Sequence, residues 1–198
     1  MEALLYCMLN PVSSVKVSLV DSKGTTKNQN FEEEFKKSNL FKGCDLWKGI
    51  VDFFRDKKFI LWFNHNTGSA AEIFISKLML NKRVEFSLGE RTYGKGIVQN
   101  NVYSNNEESS IHMMYTEGVI SLNGKYTPQK YGIYPDYNII FEGEKIKRME
   151  DSVFINPPEG LIAINKETQH NFSIKDEELI KNKDEAYLKL TKDILYNK

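Results

Sequence analysis

The sequence predicts a single α/β domain, and three stretches carry that prediction. Residues 59 to 63, Phe-Ile-Leu-Trp-Phe, form a continuous apolar run bounded by polar residues. That is the signature of a strand buried on both faces, in a sheet covered by helices. Soon after it, Ser69 to Leu80 reads as a helix that is apolar nearly all round, through Ala70, Ala71, Ile73, Phe74, Ile75, Leu78 and Met79. Such a helix sits inside a domain rather than on its surface. After Gly94 the pattern becomes β-rich through about residue 141. A chain of 198 residues is long enough for one ordinary domain with a real core.

The remaining elements follow in chain order. Residues 2 to 9 read as a short apolar helix stopped by Asn10-Pro11. Val15 to Val20 alternates as a strand, Asp21 to Gly24 forms a turn, and Thr25 to Phe31 returns as the second strand of a hairpin. The charged stretch Glu32 to Lys37 is a solvated surface segment. Asp45 to Arg55 fits a helix, with Leu46, Ile50 and Phe53 or Phe54 recurring on one face and Asp45 as its N-cap. Asn64 to Gly68 is a loop, Arg83 to Leu88 a strand, and Lys125 to Pro135 a loop punctuated by Pro128, Gly132 and Pro135. Ser173 to Tyr196 reads as one or two helices, opened by a capping box at Ser173 to Asp176 and striped by Ala186, Leu190 and Ile194. With no internal repeat, low-complexity tract or linker, residues 1 to 198 are expected to form one domain.

Composition narrows the function classes. Lys plus Arg and Asp plus Glu number 27 each, so the formal net charge is zero and no basic field favours nucleic acid. The apolar runs are far too short to span a bilayer. The start of the chain has neither a basic region nor a small-residue cleavage site, so as written the chain is expected to stay in the cytoplasm. Cys7 and Cys44 form no C-x-x-C pair, and His65, His112 and His170 are scattered, so a structural metal is not expected.

Two stretches carry candidate chemistry. The first, "GERTYGKG" at residues 89 to 96, is G-x-x-x-x-G-K, close to a phosphate-binding loop. That loop needs Ser or Thr after the lysine and a helix behind it. Here Gly96 follows, and residues 97 to 103 look extended, so nucleotide binding is set aside. The second is the junction "NTGSAAEI", residues 66 to 73. Ser69-x-x-Glu72 is a capping box, which alone would account for the serine. The sharper reading places Ser69 for nucleophilic attack. The N–H of Ala70, at the positive helix end, would then stabilise an oxyanion.

A serine nucleophile needs a base. His65 is near in sequence, but its loop position leaves its direction open. Lys95 is the better candidate. Gly94 and Gly96 let the backbone approach closely, and Tyr93 can shield the stem. A lysine base must be neutral, which burial favours and an acidic partner opposes. Gln99, four residues on, orients the amine without adding charge.

These residues resemble the C-terminal processing peptidases, also called tail-specific proteases. That family's pattern is roughly T-A-S-A-S-E-I, then some two dozen residues, then G-E-x-T-[FY]-G-K-G-x-V-Q. "NTGSAAEIF" and "GERTYGKGIVQ" follow it in order and spacing. "YGIYPDY" at residues 131 to 137 is similar to its G-I-x-P-D segment, and "DEAYLKLTKDIL" to its closing helix. The resemblance runs from about Asn64 to the C-terminus. It implies a ClpP/crotonase-like peptidase core, a serine endopeptidase without cofactor, and protein or peptide substrates. It implies Ser69 as nucleophile, Lys95 as general base and Gln99 as the residue that orients it. Two departures stand out. Ser69-Ala70-Ala71 replaces the family's S-A-S. No D-L-R-x-N-x-G-G segment, PDZ domain or N-terminal helical region precedes the core. The expectation is therefore an N-terminally truncated core lacking its second oxyanion donor, with self-association or another chain to complete it, or an inactive fragment. Family members usually act outside the cytoplasm.

Overall fold

The computed structural model describes residues 17–21, 23–27, 48–54, 56–105, 110–143, 155–165, 167–168 and 170–197. The expected helix at residues 2 to 9, the charged segment Glu32 to Lys37, the Asp45 cap, Cys7 and Cys44 lie outside these residues. The structure is a mixed α/β fold built on two four-stranded sheets, one antiparallel and one parallel.

In the antiparallel sheet β1 (Val17–Val20) lies between β2 (Thr26–Lys27) and β6 (Ser110–Leu122), and β5 (Ile97–Asn105) pairs with the other edge of β6. The turn between β1 and β2 is the expected one. Asp21 closes it by accepting the N–H groups of Lys23 and Thr25, each at 2.9 Å, on its side chain. The parallel sheet runs β3 (Phe59–Phe63), β4 (Val84–Gly89), β7 (Tyr137–Phe141), β8 (His170–Ile174). Its junction between β4 and β7 is pinned by Asp136, whose Oδ2 accepts the Ser87 N–H at 2.8 Å and the Ser87 hydroxyl at 2.9 Å.

Among the described residues there are four helices: α1 (Lys48–Phe54), α2 (Ala70–Leu80), α3 (Glu177–Lys181) and α4 (Lys183–Tyr196). The reason α2 is apolar nearly all round is now visible. Ile73 and Leu80 pack against Leu19, Ile120 and Leu122 of the antiparallel sheet. Leu78 and Ile75 pack against Phe59, Leu61, Phe63 and Val84 on the parallel side. A helix packed between two sheets carries apolar side chains on more than one face. The last helix covers the parallel sheet, with Ala186, Tyr187 and Ile194 clustered on Phe86, Leu88, Ile139, Phe141 and Ile174.

Two expectations are corrected. Among the described residues β3 is an edge strand rather than one buried on both faces, and Trp62 is 43% exposed. Its indole lies along α4, where Nε1 donates to Thr191 Oγ1 at 3.0 Å and the ring sits 5.6 Å from that of Tyr187. An amphipathic ring can satisfy an apolar pattern while staying half in water. Second, Ser173 does not open a helix. It belongs to β8, which pairs in parallel with β7, and the helix cap is Asp176, which accepts from the N–H groups of Glu178 and Leu179. Strand pairing won over a capping signal that the short segment also satisfied.

Candidate active site

The chain leaves β3 at Phe63 and enters α2 at Ala70 through a turn held by its own polar groups. Asn64 N–H donates to Thr67 Oγ1 at 3.2 Å, and Asn64 Oδ1 accepts the N–H of Asn66 at 3.0 Å. At the end of this turn Ser69 adopts φ 56° and ψ −124°. A non-glycine residue there costs about 1–3 kcal/mol, and such strain persists where the surroundings enforce it. A strained serine in a strand-to-helix turn is the geometry that exposes a nucleophilic Oγ. Ser69 and Ala70 are both exposed. Among the described residues the Ala70 N–H meets no acceptor, whereas those of Ala71 and Glu72 bond back to the carbonyls of Gly68 and Ser69.

Glu72 enforces the arrangement. It is fully buried, and its carboxylate collects four donors. Oε1 accepts the Thr92 hydroxyl at 2.5 Å and the Gly94 N–H at 2.7 Å. Oε2 accepts the Lys95 N–H at 2.8 Å and the Ser69 N–H at 3.0 Å. One oxygen thus holds the backbones of Ser69 and Lys95 within about 6 Å of each other. The capping spacing S-x-x-E foretold the bond to Ser69. Nothing in it foretold the three donors from residues 92 to 95. Burial raises the pKa of Glu72 above its usual value, while the bonds from Thr92, Gly94, Lys95 and Ser69 pull it down.

The loop carrying Lys95 is fixed on its other side by residues 128 to 133. Thr92 N–H donates to the Ile133 carbonyl at 3.0 Å, and Lys130 N–H donates to the Gly94 carbonyl at 2.9 Å. Gly96 N–H donates to Oε1 of the buried Gln129 at 2.8 Å. Both glycines are needed here. Gly94 has φ +94°, and a Cβ on Gly96 would stand 2.6 Å from the Gln129 backbone nitrogen. Tyr93 closes the gap to the serine turn: its N–H donates to the Thr67 carbonyl at 2.9 Å, and its Cβ lies 3.2 Å from where a Gly68 Cβ would sit. After Gly96 the chain continues as β5, not as a helix, which removes the phosphate-loop reading.

Lys95 is half-buried, and among the described residues its amine forms no ion pair; the nearby Glu72 carboxylate takes the backbone N–H instead. Gln99 is also half-buried. It lies on β5 opposite Thr116, just past a register shift between Val98 and Gln99, and its side chain makes no hydrogen bond among the described residues. The structure therefore joins Ser69 to Lys95 through Glu72 and leaves Gln99 as a neighbour along the strand. His65 points elsewhere: its Nδ1 meets Oε2 of the buried Glu90 at 2.5 Å. Sequence reasoning missed Gln129, which no local pattern marks, and the tying role of Glu72. Among the described residues no cluster of His, Cys, Asp or Glu is arranged to hold a metal, and no helix is long and apolar enough to cross a membrane.

A family model, Peptidase family S41, matches residues 5–139, a span that includes Ser69, Ala70, Lys95 and Gln99. Among solved structures the chain is similar to the photosystem II D1 C-terminal processing protease, at 20% identity and a TM-score of 0.45, over 69% of this chain and 30% of that one. It is similar to a lipoprotein from Streptococcus agalactiae, at 19% identity and a TM-score of 0.47, over 67% of this chain and 42% of that one. It is also similar to mature CPAF, at 19% identity and a TM-score of 0.38, over 69% of this chain and 30% of that one. The chain spans less than half the length of each of these structures. No curated protein matches it.

Proposed function

The chain belongs to peptidase family S41, and from that premise we propose that it is a serine endopeptidase of the C-terminal processing type, cutting partly unfolded proteins with a Ser69–Lys95 dyad. The Lys95 amine accepts the Ser69 Oγ proton as that oxygen attacks the scissile carbonyl. The oxyanion forms beside the Ala70 N–H at the N-terminus of α2. Protonated Lys95 then gives its proton to the departing amine, and the acyl group stays on Ser69. A water molecule, deprotonated by Lys95, attacks the ester and restores the serine. Gln99 orients the lysine amine.

The observation that carries this reading is the shared Glu72 oxygen, which holds Ser69 and Lys95 in one frame by hydrogen bonds to both amides. Supporting it are the strained φ of Ser69 and the unpaired N–H of Ala70.

A second reading, a chain that keeps the dyad without turnover, is favoured by one observation. Ala70 is the single oxyanion donor assigned among the described residues. Loss of one donor typically costs about a hundred- to a thousandfold in rate.

Cleavage of casein by the purified chain, beside Ser69→Ala and Lys95→Ala, decides between the two. The endopeptidase reading expects cleavage that disappears in both variants while their circular dichroism stays that of the parent. Cleavage that survives either substitution would overturn the dyad. A folded parent with no cleavage would support the second reading.

A further inference from the structure

Strands β5 and β6 run on past the body of the antiparallel sheet as a two-stranded ribbon. β6 pairs with β1 only from Val119 to Leu122, whereas its pairing with β5 continues out to Asn105 and Ser110. Among the described residues no third strand lies beside this outer stretch. A two-stranded ribbon alone is marginally stable in water, and covering its apolar face stabilises it. The register sorts the side chains onto two faces. One face closes on itself: the Tyr103 and His112 rings stack at 4.5 Å, and His112 Nε2 meets Asn101 Oδ1 at 3.0 Å. The other carries Ile111, Met113 and Tyr115 along β6 and Asn100, Val102 and Ser104 along β5. All six are exposed, Ile111 by 63% and Met113 by 56%, and none is charged. Glu117, at the foot of the ribbon, accepts from Asn100 Nδ2 at 2.6 Å.

We propose that this second face is where two copies of the chain meet. Its shape, charge and area each suit a second copy. The face has a tall row on β6, of Ile111, Met113 and Tyr115, beside a low row on β5, of Asn100, Val102 and Ser104. A two-fold axis along the ribbon sets the tall row of each copy over the low row of the other, so one surface supplies both halves of the fit. An uncharged stripe stacked on itself brings no like charges together. No Lys or Arg lies between Lys95 and Lys125, so nothing on the ribbon draws a nucleic acid or an anionic membrane. The four apolar side chains expose roughly 400–500 Å² per copy, the size of a patch that marks an interaction site and the low end for a two-fold contact. A weak, reversible dimer follows from that area. The inference does not depend on the proteolytic reading, since association is measured directly.

Sedimentation equilibrium of the purified chain tests it, with circular dichroism beside it to follow the fold. The expected result is a reversible monomer–dimer equilibrium with a dissociation constant of about 10–100 μM. Ile111→Lys and Met113→Lys should each weaken the dimer about a hundredfold or more, because the two-fold axis buries each added charge twice. Tyr103→Lys and Met114→Lys, on the opposite face, should leave it within about threefold of the parent. Met113→Gln keeps the side-chain length and adds no charge, so it should still weaken the dimer about tenfold if a lysine variant unfolds. Flotation with neutral phosphatidylcholine vesicles separates self-association from insertion of the apolar face into lipid. A chain that stays monomeric up to about 1 mM, a dimer indifferent to the Ile111 and Met113 substitutions, equal losses from both faces, or a monomer that floats with the vesicles would overturn the proposal.

Discussion

Replacing Glu72 by Gln tests whether one carboxylate holds the site together. A carboxyl group, ionised or protonated, keeps an acceptor lone pair on each oxygen; an amide keeps one oxygen only. The amide would place its oxygen toward Ser69 and Lys95, where two N–H donors wait at 3.0 and 2.8 Å, and its NH₂ toward Thr92 and Gly94. Thr92 can turn its hydroxyl to accept, but the buried Gly94 N–H then faces another donor. An orphaned buried donor costs about 1–3 kcal/mol, and the bonds that lose their charge assistance add to it. Relief from burying a charge offsets part, leaving a loss of about 2 kcal/mol. With a urea m-value of about 2 kcal/mol/M the unfolding midpoint should fall by about 1 M. A midpoint within about 0.2 M of the parent would refute the reasoning, because the four bonds would then contribute little net stability.

The same residue sets a pH dependence. Burial raises the Glu72 pKa in the folded state, so the fold binds this proton more tightly than the unfolded chain does. Its contribution is therefore full below about pH 4.5 and is lost as pH rises through the folded pKa, so the stability gap between parent and Glu72→Gln should narrow upward from pH 4.5 in urea titrations. Gly96→Ala puts a Cβ 2.6 Å from the Gln129 nitrogen, whose N–H is itself held by Thr127 Oγ1 at 3.1 Å. We expect a loss of about 2 kcal/mol and a fall in Tm of about 4–8 °C by calorimetry. Asp136→Ala strands the N–H of the fully buried Ser87 at the β4–β7 junction and should lower stability by about 2–3 kcal/mol in urea unfolding.

The α/β class and most of its elements were legible because periodicity reports burial. The all-round apolar pattern of α2 marked a helix packed on more than one side, and the two sheets around it explain why. Trp62 shows the limit. A tryptophan reads as core, yet whether its strand is an edge depends on which strands lie beside it, and its partner Thr191 is 129 residues away. Strand β8 was hidden because "HNFSI" pairs with β7 from 33 residues away, by a register that no local signal encodes. At the site, Ser69, Ala70 and Lys95 stood out by spacing and by the glycines around the lysine. What joins them did not stand out. Glu72 looked like a helix cap, and its role as the tie between two loops exists only once residues 92 to 95 fold against it. Gln129 carries no pattern at all, yet it anchors Gly96 and, through Nε2, the Ile155 carbonyl.

The central claim is that Ser69 is a nucleophile activated by Lys95. Its most direct test is covalent labelling with a fluorophosphonate, followed by mass spectrometry of the digested chain. The account predicts a single adduct on the peptide containing Ser69, and none in folded Lys95→Ala. An adduct on another residue, or labelling of Lys95→Ala at the parent rate, would contradict it.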